Sequence, residues 1–341
     1  MSQPGAVPPW LRQPWEALVQ RAAAGNLPGG LLVTGAEGVG KGLLVTALLQ
    51  RLFCERASGT QPACGECGGC RSFLGGVHPE LHDVMPPEPG KDILVDAVRE
   101  AGEFLALSGS GDWRVLRLHP ADAMNASAAN ALLKTLEEPP AGGLIVLESA
   151  RPSALPATIR SRCQDLHLPA PDLEGAREWL ATGATEPAAV DEAWAASLGR
   201  PVVAAELLAD PERHAAWRQE RDALAGLLQA RELHAVVPQL ARCNLESLVP
   251  RWQALLLSAQ RWLASGEVDR FGAQFPQGAL QAFARDRGAR GLASLVQESR
   301  RWQRQARAQL NPQLRLEDMA AAMLPQARAD RLASRGRSGA Y

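Results

Sequence analysis

The chain has 341 residues, with 36 Lys and Arg against 37 Asp and Glu and a net charge of −1. That length accommodates two or three domains with real cores, and the near-neutral charge argues against a dedicated, stand-alone nucleic-acid binder. The opening MSQPGAVPPW has no basic-plus-apolar leader, and no apolar run approaches the roughly 20 residues of a membrane span, so a cytoplasmic chain without membrane contact is expected.

The first predicted element is a buried strand, Leu31–Thr34, which follows Gly29-Gly30. Residues 35–41, Gly-Ala-Glu-Gly-Val-Gly-Lys, fit G-x-x-x-x-G-K, and the apolar spacing of Leu43, Leu44, Ala47, Leu48 and Leu52 predicts a helix directly after them. A strand before and a helix after is the context that makes a phosphate loop credible. Gly35, Gly38 and Gly40 would let backbone N–H groups close around phosphate oxygens, with Lys41 reaching the outer phosphates. The next residue is Gly42, where Ser or Thr would offer Mg²⁺ a hydroxyl.

Four of the six cysteines follow within a short stretch, as Cys54-x9-Cys64-x2-Cys67-x2-Cys70. Two adjacent C-x-x-C steps, with Gly65, Gly68 and Gly69 between them, fit a closed tetrahedral site for structural zinc. The alternative is a pair of disulfides or reactive thiols, disfavoured in a reducing compartment. Cys163 and Cys243 are too isolated to be ligands by spacing and read as small buried residues.

Val115–Leu118 is a second predicted strand and Leu144–Leu147 a third, with a helix at Ala126–Leu136 between them and Asn125 as its N-cap. P-loop NTPases place an acidic residue at the end of the second of these strands to hold the metal; here His119 and Pro120 stand there. With Gly42, two metal-handling positions are lost together, unless Asp122 or Asp83 substitutes. Alternating strands and helices predict a parallel sheet covered on both faces. After Leu168 the pattern becomes helical: a linker at Pro169-Ala170-Pro171, short helices at 173–182, 187–197 and 201–209, then longer ones near 212–232, 245–265, 276–285, 289–309 and 315–333.

At this point motifs identify a family. Asn130–Pro140 reads NALLKTLEEPP, which resembles a signature of bacterial DNA polymerase III clamp-loader subunits, and Ser161-Arg162-Cys163 resembles their Ser-Arg-Cys motif. The four-cysteine insertion after the P-loop helix is similar to theirs. The resemblance implies an α/β AAA+ P-loop domain (1–168) carrying a zinc module at about 54–75, a small helical lid (169–210), an all-α collar (211–333) and a disordered tail (334–341). The family's gamma and tau motor subunits keep a complete P-loop and an Asp-Glu pair. Its delta-prime subunits have a degenerate ATPase centre, and Gly42, His119 and Pro120 place the expectation with them.

The resemblance further implies that Arg162, flanked by Ser161 and Cys163, acts in trans as an arginine finger on a neighbouring subunit's ATP. Ser149 falls where the sensor-1 hydroxyl would lie, whereas Arg200 sits near sensor 2 in a loose register and receives no catalytic role. Expected partners are the gamma/tau and delta subunits, with the sliding clamp and primed DNA reached through the complex. Binding of ATP or phosphate at the chain's own loop stays open, without turnover. The competing readings are an ATP-hydrolysing motor subunit and a zinc-module nucleic-acid binder acting alone.

Overall fold

The uninterrupted apolar run after Gly29 forms the central strand of a parallel sheet. In the computed structural model, which describes residues 7–324 except 89, 108–110, 184–185, 231 and 306–311, all five residues of this strand are buried. The chain divides into two units, Met1–Gly183 with Arg200–Val203, and Ala184–Gly199 with Ala204–Tyr341.

In chain order the first unit contains α1 (Arg12–Ala23), β1 (Gly30–Thr34), α2 (Lys41–Leu52), α3 (Gly68–Leu74), β2 (Leu81–Val84), α4 (Val95–Ala106), β3 (Arg114–Leu118), α5 (Ala126–Glu137), β4 (Gly143–Ser149), α6 (Ala157–Arg160), β5 (Gln164–His167) and α7 (Leu173–Ala181). The strand order is β2-β3-β4-β1-β5, and every pairing is parallel. Alternation along each strand divides the core in two. Leu31, Val33, Val115, Leu144 and Val146 face α1 and α2. Leu32, Leu116, Leu118, Ile145 and Leu147 face α4 and α5. The predicted cap holds: Asn125 Oδ1 accepts the Ala128 amide at 2.8 Å and starts α5.

The second unit is helical. It contains α8 (Pro187–Ala196), most of α9 (Pro201–Ala209), α10 (Pro211–Gln229), α11 (Val237–Leu240), α12 (Leu245–Ser265), α13 (Gln277–Gln305) and α14 (Pro312–Met323). Trp252, Leu255, Leu280 and Leu292 are fully buried in its core. The two helices expected at 276–285 and 289–309 meet at Gly288, whose φ of 61° interrupts α13. The stretch expected as a lid is shared: α7 clusters with the α/β unit and α8 with the helical one. The tail at 334–341 lies outside the described residues.

The residues just before and at the start of β1 have no side chains for a packing reason. A Cβ on Gly29 would stand 2.4 Å from Pro139 Cγ. One on Gly30 would stand 2.9 Å from Leu136 Cδ2, 3.2 Å from Cys163 Sγ and 3.3 Å from the Arg162 carbonyl oxygen. The two motifs 130–140 and 161–163 therefore meet at the N-terminal end of β1. Gly30→Ala is expected to lower the stability of the α/β unit by about 1–3 kcal/mol, the range for forcing a methyl into a packed site. Denaturant unfolding followed in that unit checks this, and an unchanged midpoint contradicts the packing account.

Candidate functional site

The phosphate loop forms as its glycines require. Gly35, Gly38 and Gly40 have φ values of 147°, 76° and 107°, a region L side chains rarely enter. The loop opens α2 at Lys41 and lies at the C-terminal end of β1, where parallel sheets place their ligand sites. Its groups are engaged by protein. Lys41 Nζ donates to the Gly35 and Ala36 carbonyls, each at 2.9 Å. Trp10 Nε1 donates to the Val39 carbonyl at 2.9 Å, and the Val202 amide to the Gly38 carbonyl at 3.0 Å. Arg200 lies beside this loop and pairs with Glu37 at 3.8 Å. Burial pushes the Lys41 amine below its usual range, against the opposing pull of Glu148, Glu37 and Asp122.

The metal-handling side of the loop holds two charged residues that the sequence reading passed over. Arg117 and Glu148 sit near the C-terminal ends of β3 and β4, on the α1–α2 face by alternation with Val115 and Val146. They form an ion pair at 2.8 Å, with side chains only 12% and 8% exposed. A Cβ added at Gly42 would stand 3.5 Å from Arg117 Nη2 and 3.6 Å from Glu148 Oε2. The available signal was one charge of each sign interrupting two consecutive apolar strands.

The candidate substitute carboxylates are occupied as well. Asp122 accepts from Ser149 Oγ at 2.8 Å, from the Ala150 amide at 3.3 Å and from Arg151 Nε at 2.9 Å. The Ser149 hydroxyl is thus committed to Asp122, and the Ser149 residue is fully buried. Asp83 lies 3.6 Å from His119 Nε2 and 3.9 Å from Arg117 Nε. Mg²⁺ requires octahedral oxygen ligands at about 2.0–2.1 Å. A guanidinium beside residue 42 and carboxylates already paired do not fit that ion.

Arg162 follows α6 at the opposite end of β1. Its Nη2 pairs with Glu137 Oε1 at 2.6 Å, and its Nη1 donates to the Thr158 carbonyl at 3.1 Å, leaving the side chain 36% exposed. Ser161 Oγ donates to the same carbonyl at 3.1 Å. Cys163 packs against β1, and burial pushes its thiol up to about 11. Lys134, Glu137 and Glu138 are exposed, while Leu132 and Leu136 of the same motif are core residues.

The cysteines converge. The sulfurs of Cys54, Cys64, Cys67 and Cys70 all lie within 4.8 Å of one another. Cys64 and Cys70 are 3.9 Å apart and Cys54 and Cys67 4.0 Å, near the spacing of about 3.8 Å that a tetrahedral ion with bonds of about 2.3 Å imposes. A disulfide needs about 2.05 Å, and all four thiols are free. The glycines act differently from one another here. Gly65 takes a φ of 76° in the turn, whereas Gly69 makes room for the Phe53 carbonyl, which would stand 2.0 Å from a Cβ.

Burial works against ionising Cys54, but amide hydrogen bonds from Cys64, Arg56 and Ala57 outweigh it and bring the thiol down to about 6. Burial and neighbouring Cys67 push Cys70 up to about 12. Four thiolates this close need a cation to coexist, so the cluster could hold a metal ion.

Sequence comparisons place the chain in a family. Residues 10–172 match the family model described as DNA polymerase III, delta subunit. DNA polymerase III subunit delta-prime of Yersinia pestis is 36% identical over 265 residues, covering 74% of this chain and 76% of that protein. The chain belongs to the DNA polymerase III delta-prime family. A second member, from Pseudomonas aeruginosa, is 39% identical over 202 residues, covering 58% of this chain and 60% of its own length. DNA polymerase III subunit tau of Salmonella typhimurium is 34% identical over 169 residues, 48% of this chain and 25% of its own. The delta-prime match from Yersinia pestis is thus longer than the α/β unit, and the tau match is shorter. Among the described residues no helix is long and apolar enough to cross a membrane.

One thiol-preferring divalent ion per chain is expected at the cluster. Protons compete for the thiolates, so retention of the ion weakens as pH falls, and metal-free Cys54 keeps its thiolate down to about 6. Metal analysis of dialysed protein across pH 8 to 5 checks this; full occupancy after Cys70→Ala contradicts the assignment.

Proposed function

We propose that this chain is the non-catalytic stator, delta-prime, of a DNA polymerase III clamp loader, and that Arg162 serves a neighbouring motor subunit's ATP. Support comes chiefly from one distance. The Arg162 backbone touches Gly30 at one end of β1, and the chain's own phosphate loop leaves the other end after Thr34. Four strand steps of about 3.3 Å separate those ends by about 13 Å. Arg162 is therefore remote from its own loop while remaining partly exposed for a partner.

An arginine finger neutralises charge on the transferred phosphoryl group, an effect of about 10³–10⁵ in rate in GTPases. Ser161 and Cys163 hold its backbone, Cys163 by packing on Gly30. Gamma or tau and delta subunits would form the complex, with the sliding clamp and primed DNA as its substrates. The cluster Cys54–Cys64–Cys67–Cys70 would hold structural zinc, since a closed four-thiolate site leaves no open position for catalysis. The residues 169–210 and 211–333 would act as lid and collar. The intact loop geometry and Lys41 favour a second reading, a motor subunit with its own turnover, and the occupied metal position weighs against it.

In an assembly reconstituted with wild-type motor subunits, Arg162→Ala is expected to remove the turnover of the one site it serves. Arg162→Lys is expected to rescue little, because an ammonium lacks the planar fork. Steady-state ATP hydrolysis with clamp and primed DNA reads this, with intact assembly verified by gel filtration. Unchanged turnover in Arg162→Ala contradicts the proposal.

A further inference from the structure

The sheet's charged corner under the phosphate loop carries a role of its own. Arg117 and Glu148 come from strands adjacent in the sheet and 31 positions apart in sequence, and alternation aims both at the first turn of α2. They meet beside Gly42, the position that would present a hydroxyl to a divalent cation. Glu148 is also the largest opposing charge on Lys41. Asp83 reinforces the cluster from the outer strand, 3.9 Å from Arg117 Nε.

We infer that the Arg117–Glu148 ion pair fills the divalent cation's place beside this P-loop, closing the loop to metal-dependent nucleotide binding. The guanidinium takes up the space beside Gly42 and engages the carboxylate that could otherwise ligate an ion there. Its carboxylate partner both holds it and cancels its charge toward phosphate. The lack of a hydroxyl at Gly42 fits this: with the guanidinium beside residue 42, no ion is left there for a hydroxyl to hold. Lys41, turned back onto the Gly35 and Ala36 carbonyls, is the corresponding rest state of the loop's other cation. This inference stands whether or not Arg162 acts in trans.

Two expectations separate it from simple loss of one hydroxyl. Mg²⁺ should add nothing to whatever affinity the wild-type chain has for ATP. Removing the cancelling charge with Glu148→Gln, which keeps size and an acceptor oxygen, should strengthen metal-free ATP binding by about tenfold, equivalent to about 1.4 kcal/mol. The test is equilibrium dialysis of labelled ATP against the full zinc-loaded chain. The buffer is stripped of divalent cations beforehand, because a chelator would take the zinc, and the dialysis is repeated with Mg²⁺ added. Circular dichroism checks that the variant is folded, and the Mg²⁺ comparison on wild type needs no variant. Tightening of wild-type ATP binding by Mg²⁺ of tenfold or more overturns the inference. So does a folded Glu148→Gln chain whose metal-free ATP binding is no stronger than wild type.

Discussion

The close approach at Gly29 and Gly30 is the constraint on which the arrangement depends. Without side chains there, Pro139 closes on residue 29, and Leu136, Arg162 and Cys163 close on residue 30. The helix–proline motif and the Ser-Arg-Cys segment are thereby fixed to the central strand of the sheet. Because β1 lies between β4 and β5 with every residue buried, that anchor is tied to the core rather than to a surface loop. The backbone of Arg162 is held by that packing, while its side chain is partly exposed and paired with Glu137.

The same strand ends, at its other terminus, in a loop that keeps the backbone of a nucleotide site while its polar contacts are made within the chain. Lys41 bonds to loop carbonyls, Ser149 to Asp122, and Arg117 to Glu148. A buried ion pair is not by itself evidence of stability, because desolvation offsets much of the attraction. Its position carries the meaning here. It satisfies two charges at the corner of the sheet where a catalytic relative would need an ion. One end of the strand thus leads into a loop whose polar groups are paired within the chain, and the other anchors the segment that carries Arg162.

Much of this was legible in the sequence. The loop's strand–glycine–helix order, the Asn125 cap and the convergence of the four cysteines all rest on spacing within a few residues, and local spacing survives folding. The edge strands β2 and β5 were not legible. Leu81–Val84 and Gln164–His167 are four residues each, with two exposed or half-exposed polar residues in the first and three in the second, so they lack the apolar signal of β1. Their pairing comes from backbone hydrogen bonds to β3 and β1. Helices α1 and α4 were also passed over, though Leu18, Val98 and Leu105 bury one face of each. The Arg117–Glu148 and Asp122–Ser149 contacts depend on strand order and register, which no single stretch of sequence displays. The cysteines' glycines were read as turn-formers, yet Gly69 serves to admit the Phe53 carbonyl.

The account divides the two ends of β1 into a silent loop and an active arginine, and one paired measurement tests that division. Assemblies would be reconstituted with wild-type motor subunits and either Lys41→Ala or Arg162→Ala in this chain, and ATP turnover compared at saturating clamp and primed DNA. The account predicts wild-type turnover with Lys41→Ala and a marked loss with Arg162→Ala. Loss with Lys41→Ala and wild-type turnover with Arg162→Ala would contradict it.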